Sequence, residues 1–310
     1  MSDTDPQHEI IANNTGRLGL PPGWTARLPR QLKALRHRNY RLFFGGQIVS
    51  LTGTWLQQVA YGWLVLQLTN SALLLGVVGS ISALPILLFS LPAGVLADRF
   101  SKRNLIILTQ VISMVLALLL AVLTYRGIVT IQHIIAIGFA LGIVNALDAP
   151  ARQSFVIEMV GREDLPNAIA LNSATFNGAR LLGPALAGIA IAVVGIAGVF
   201  FVNGISYLAV IIGLALMRVS PTSRASGESM LDELRAGLGF IRRHRLVRSL
   251  LLLTAVLSTF AFPYLVLMPI FARDILGTGP GGLGYLMASS GAGALIGAFV
   301  ISSLGEIRAK

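Results

Sequence analysis

The sequence predicts an all-α protein that crosses a membrane many times, and three observations carry that prediction. First, 55% of the 310 residues are hydrophobic and only 12% are charged, with a mean hydropathy of +0.76. Soluble domains carry about 25% charged residues, and a chain this poor in charge cannot cover its surface in water. Second, the apolar residues come in runs of about 20, the length at which a helix crosses a hydrocarbon core of about 30 Å. Third, the cations behind the formal charge of +11 fall in the gaps between those runs, so they describe a membrane topology and not a nucleic-acid surface.

The polar stretch 1–41, with Pro21-Pro22 and several arginines, reads as a cytoplasmic tail with no cleavable signal segment. Span 1 (42–68) carries Gly53-Thr54-Trp55-Leu56-Gln57-Gln58, and the short gap at 69–71 makes it a hairpin with span 2 (72–97), which contains Pro85 and Pro92. Span 3 (104–125) follows a basic loop, and span 4 (131–150) closes on Asn145 and Asp148. Span 5 (168–193) holds Arg180, the one charge near the middle of a span, and turns at 194–196 into span 6 (197–217). Residues 218–248 form a cytoplasmic linker, in which Leu231, Leu234, Leu238 and Ile241 predict an amphipathic helix lying on the membrane surface. Spans 7 (249–272) and 8 (282–304) complete eight, with kinks expected at Pro263 and Pro269.

Of the 24 Lys and Arg residues, 21 lie in the tails and in the loops 98–103, 151–167 and 218–248. The opposite loops hold only Arg126 and Arg273. The positive-inside rule then puts both termini in the cytoplasm.

The most informative segment is Gly94-Val-Leu-Ala-Asp98-Arg99-Phe-Ser-Lys102-Arg103, between spans 2 and 3. It resembles the signature loop Gly-x-x-x-Asp-Arg-x-Gly-Arg-Lys of the major facilitator superfamily, with Ser101 where the family has its second glycine. Asn145-Ala-Leu-Asp148-Ala-Pro150-Ala-Arg152-Gln153 and Leu165-Pro-Asn167-Ala168, together with Gly53 to Gln58, are similar to the bacterial drug and siderophore exporter branch that includes enterobactin exporters. In span 5, Ala170, Ala179, Gly183-Pro184 and Ala187-Gly188 fall at the spacing of that family's antiporter motif, with alanine at three glycine positions. Gly183, Pro184 and Gly188 are therefore the expected helix-packing residues, where small side chains let helices approach.

A weak internal repeat accompanies the resemblance. Arg36-His37-Arg38 before span 1 answers Arg243-His244-Arg245 before span 7, and Leu75-Gly76 answers Leu283-Gly284. At the same offset Asp98 answers Glu306 and Lys102 answers Lys310. Parallel duplication of this kind relates the two halves of the superfamily. The expected fold is the major facilitator fold, with an N-terminal six-helix bundle (42–217) and an incomplete C-terminal bundle of two helices (249–310). A complete repeat would need four more helices, so the chain is expected to be a truncated form.

The resemblance implies a transporter of the bacterial inner membrane that exports small molecules by alternating access around a midplane site. Gln47, Gln57, Gln58, Asn145, Asn172, Asn177 and Arg180 are the expected cavity residues. Arg180 costs about 2.5–3.5 kcal/mol in a helix centre on insertion scales, so it is expected to face the cavity; a bond to a neighbouring carbonyl or to Gln57 is the alternative. Gly94, Asp98, Arg99, Lys102, Arg103, Asp148 and Arg152 are the expected gate at one membrane face. All thirteen acidic residues are placed in tails, loops or span ends, so Asp98 and Asp148 are the candidates if protons are the coupling ion. A truncated, transport-incompetent membrane protein of the same family is the competing expectation.

The remaining chemistry is sparse. No cysteine is present, which excludes thiol catalysis and cysteine–metal centres. The histidines at 8, 37, 133 and 244 are scattered, and no Gly-rich loop ends in Lys-Ser/Thr. No catalytic residue, metal or cofactor is expected, and the expected partners are the bilayer and a small-molecule substrate, with no nucleic acid.

Overall fold

The computed structural model describes residues 30–218, 239–260 and 263–303. A 3-10 segment (Arg30–Arg36) leads into α1 (Arg38–Thr69), α2 (Ala72–Arg99), α3 (Lys102–Tyr125) and α4 (Ile131–Val160), and then into the helical stretch Leu165–Ala215. At 1.5 Å per residue those 51 residues would measure about 77 Å, more than twice a hydrocarbon core. The stretch breaks at Gly195, with φ 71° and ψ 173°, a backbone region open essentially to glycine alone. It is therefore two helices, α5 (165–194) and α6 (196–215), turning at the centre of the gap expected at 194–196.

Helix α7 (Arg245–Phe260), α8 (Pro263–Ile270) with a π turn (Phe271–Ile275), and α9 (Pro280–Ser303) follow. Among the described residues there is no strand. The linker residues Leu231, Leu234 and Leu238, and the tail residues Glu306 and Lys310, lie outside the described residues, whereas Ile241 sits in a helical turn at 239–243. Helix α7 starts 207 residues after α1, and α9 starts 208 residues after α2, the same offsets as the sequence repeat.

Within the described residues, four stretches are long and apolar enough to cross a membrane: Ala72–Ala97, Lys102–Tyr125, Ile131–Val160 and Leu165–Ala215. Helix α1 is 32 residues long, but Gln47, Gln57, Gln58 and several hydroxyl residues interrupt its apolar surface. It buries that polar stripe against the α5–α6 stretch, while α2 packs on α4, α3 on α4 and α6, and α9 on α5.

The core is double. One apolar cluster gathers Trp63, Leu120, Ile134, Phe200 and Leu283 at one end of the bundle. The other gathers Tyr40, Phe43, Ile106, Phe155 and Leu214 at the opposite end. Between them, along α1, α3, α4 and α6, lies a belt of buried polar residues that includes Gln47, Ser50, Gln110, Asp148, Asn203 and Ser206. Buried polar groups are tolerable only when bonded. The belt supplies such bonds: Asn203 Nδ2 donates to Gln57 Oε1 at 2.7 Å, and Ser206 Oγ donates to the backbone carbonyl of Asn203 at 2.7 Å.

Candidate functional site

A cavity of about 900 Å³ opens beside this belt. Its wall comes from α1, α2, α4 and α5 in the first part of the chain and from α8 and α9 in the last, with Gln110 and Ser113 of α3 and Tyr207 of α6 behind. Gln47, Gln57, Gln58, Asn145, Asn172 and Asn177 all line it. Each sits where its helix carries it: Gln57 is held by Asn203, Asn172 accepts a bond from Tyr40 Oη at 3.0 Å, and Asn177 Nδ2 bonds back to the Ser173 carbonyl.

Arg180 is not part of the described wall. Its guanidinium carbon lies 6.0 Å from the centroid of the Trp55 ring, within cation–π range, and no described carboxylate pairs with it. Four residues on, Pro184 has no N–H to offer the Arg180 carbonyl, so that turn of α5 lacks one backbone bond. Helix α9 comes close there: a Cβ on Gly291 would stand 3.1 Å from that carbonyl oxygen. The expected packing residues make the same kind of approach. A side chain on Gly183 would collide with Trp55 of α1, and one on Gly188 would collide with the Gly281 backbone of α9.

The expected gate residues divide into two separate sets. Lys102 Nζ pairs with Glu158 Oε1 at 2.6 Å, joining α3 to α4. Arg103 Nε and Nη2 donate to the carbonyls of Leu214 and Ala215, at 2.7 and 2.9 Å. Arg38 donates to Leu216 in the same place, so two arginines satisfy orphan carbonyls at the end of α6, and Asn39 holds the chain just beyond it at Arg218. Gly94 lies in α2 with open space where a Cβ would point, and Arg99 ends that helix. The side chain of Asp98 lies outside the described residues.

Asp148 and Arg152 form the second set. Helix α4 runs through Pro150 to Val160, so Asp148 lies about 18 Å of helix before its end. Its carboxylate is 9% exposed, in the polar belt and on the cavity wall. Arg152 Nε donates to Oδ2, while Thr109 Oγ1 at 2.6 Å and Gln110 Nε2 at 3.2 Å donate to Oδ1. Arg152 also stacks 5.9 Å from the Phe43 ring centroid. Thr109, Gln110, Asn203 and Glu158 are partners the sequence reading missed; for Thr109, Gln110 and Asn203 the available signal was a polar residue inside an otherwise apolar run.

At the other end of the bundle Arg273 ties the π turn to α1. Its Nη1 donates to the Leu66 carbonyl at 3.2 Å and to Asn70 Oδ1 at 2.5 Å, and Asp274 pairs with its Nε. That hydrogen bond holds the Asp274 carboxyl below the usual carboxylate range.

Comparison with known proteins identifies the family. Residues 30–309 match the profile of a family described as transmembrane secretion effectors. The staphyloferrin A transporter of Staphylococcus aureus is 26% identical over 236 residues, 76% of this chain and 59% of that protein. Macrolide efflux protein A of Streptococcus pyogenes is 20% identical over 282 residues, 89% of this chain and 70% of the relative. The multidrug efflux pump Tap of Mycolicibacterium fortuitum is 26% identical over 256 residues, 79% and 62% respectively. The chain thus spans about three fifths to seven tenths of the length of these relatives.

Proposed function

Because the chain belongs to the transmembrane secretion effector family of the major facilitator superfamily, we propose that this integral membrane protein exports small molecules, drug-like or siderophore-like, by alternating access. The observation that carries the reading is the cavity: a polar space midway between two apolar cores, walled by helices from both ends of the chain. A charged or amide side chain at that depth is costly in lipid and is kept where it meets a ligand or water. The helices divide six and two, 42–217 and 249–310, with both termini in the cytoplasm of a bacterial inner membrane and 1–41 and 218–248 as cytoplasmic tail and linker. The contact of Arg103, Arg38 and Asn39 with the end of α6 then lies at the cytoplasmic face, and the Arg273–Asn70 contact at the periplasmic face.

Protons are the proposed coupling ion, with Asp148 as their acceptor. It is the described carboxylate on the cavity wall, and protonation would release Arg152 from it. The chemistry is transport and not catalysis. The test is accumulation of two uncharged compounds, chloramphenicol and Nile red, in an efflux-deficient bacterium that makes the 310-residue chain. Lower accumulation than in cells with an empty vector, abolished by a protonophore, is expected. Unchanged accumulation of both compounds, with the protein present in the membrane fraction, would overturn the reading.

A further inference from the structure

The chemistry of the cavity wall specifies more than a volume. We infer that its ligand is an uncharged, oxygen-rich amphiphile: an apolar ring body bearing hydroxyl, ether or carbonyl oxygens and no net charge. The inference rests on the reading of this cavity as the substrate site.

The first argument is charge. Asp148 and Arg152 are the acidic and basic residues among the described wall residues, and each is spent on the other. Both oxygens of Asp148 are occupied, by Arg152, Thr109 and Gln110 together. No free carboxylate is left for an ammonium group, and a ligand carboxylate approaching Arg152 would meet Asp148 beside it. Either ionic ligand would give up hydration without gaining a counter-charge.

The second argument is hydrogen bonding. Asn and Gln supply eight of the wall residues, and Gln58, Asn145 and Gln153 among them are exposed there with no described protein partner. Deeper in, Gln47 is 6% and Gln110 2% exposed, yet Gln47 Nε2, Gln110 Oε1 and Arg152 Nη1 have no partner among the described residues. Buried polar atoms without partners are uncommon in native proteins and destabilise the fold that keeps them. Two of these three are donors, so the complement they want is chiefly acceptor oxygen. The rest of the wall, with Phe43, Leu141, Phe176, Val266 and Met287, offers an apolar bed for the body of the molecule. At about 900 Å³ the space is at the upper end for a small-molecule site, which commonly runs about 300–1,000 Å³.

The test compares three probes with one body. 4-Methylumbelliferyl β-glucoside is neutral, the corresponding glucuronide is an anion, and the 6-amino-6-deoxyglucoside is a cation. Equilibrium dialysis against the full chain in lipid nanodiscs gives the three affinities without detergent. The glucoside is expected to bind about tenfold more tightly than either ion. Gln47→Leu should weaken the glucoside about three- to tenfold, with helical content by circular dichroism unchanged. Tightest binding of the cation, lost in Asp148→Asn, or of the anion, lost in Arg152→Gln, would overturn the inference. So would equal affinities, or no binding of any probe. The ranking is read on the unmutated chain, so it survives a variant that fails to fold. Because it reads ligand charge and not flux, a failed ranking with intact export leaves the transport reading standing, and failed export with an intact ranking does the reverse.

Discussion

The pair Asp148–Arg152 concentrates most of the electrostatic risk in this molecule. Both side chains are largely enclosed, with 13% and 19% of their surfaces exposed, and each is neutralised chiefly by the other. Removing one partner of a buried pair costs about 3–5 kcal/mol, whereas removing both is often close to neutral. Arg152→Leu should therefore lower the thermal midpoint of the nanodisc-embedded protein markedly, and Asp148→Asn in the same chain should restore most of the loss. Equal destabilisation in single and double variants would show that the charges do not support one another. This site was half legible in the sequence. The spacing of four residues brings Asp148 and Arg152 onto one helical face, but the apolar run was counted only as far as Pro150, which set the pair at the end of a span. Membrane helices keep such prolines because neighbouring groups satisfy the freed carbonyl. Arg180 stood out in the sequence as a lone charge in an apolar run, but its neighbour did not: the guanidinium lies over the aromatic ring three residues before Gln58.

Among the elements, the α5–α6 turn depends on one residue. A side chain at Gly195 would force a positive φ that costs about 1–3 kcal/mol. Gly195→Ala should therefore reduce the amount of folded protein by fluorescence-detected gel filtration, while Ala197→Gly, two residues away, should have a much smaller effect. The turn was visible beforehand because hydrophobic runs must break every twenty or so residues to stay within the bilayer, and glycine marked the place. The Arg273 contact was not visible, since its partners are a backbone carbonyl and an asparagine 203 residues away. Spin labels at Leu68 and Ile275, both exposed, report on it. Arg273→Ala should broaden and lengthen their distance distribution. In the unmutated chain the Asp274 contribution is complete above the ordinary carboxylate range, about pH 4. It is lost only as pH falls through the lowered value that Arg273 imposes. The distribution should thus stay constant from neutral pH to about pH 4 and widen only below.

For the molecule as a whole, the orientation is the prediction that most of the others depend on. The chain has no cysteine, so a single introduced thiol is read without background. Ile128→Cys, on an exposed turn, should react in intact cells with a membrane-impermeant maleimide, and Glu163→Cys should react only after the membrane is opened. The reverse pattern would invert every assignment of faces made above. The helical architecture was legible because hydropathy responds to the bilayer, a single strong constraint. The polar belt was not, because it is assembled from isolated residues on four helices, and only their packing shows that they meet at one level.

That belt also sets a schedule for synthesis. Helix α1 leaves the ribosome first, yet Gln57 finds its partner Asn203 only 146 residues later. At about 5–20 residues per second, this separation lasts roughly 7 to 30 seconds. Throughout it, the amide of Gln57 and its neighbours must remain beside the insertion machinery, a chaperone or water, because hydrocarbon offers them nothing. Nascent chains arrested before residue 203 should therefore crosslink through α1 to the insertion apparatus, and chains arrested well beyond residue 215 should have released it into lipid.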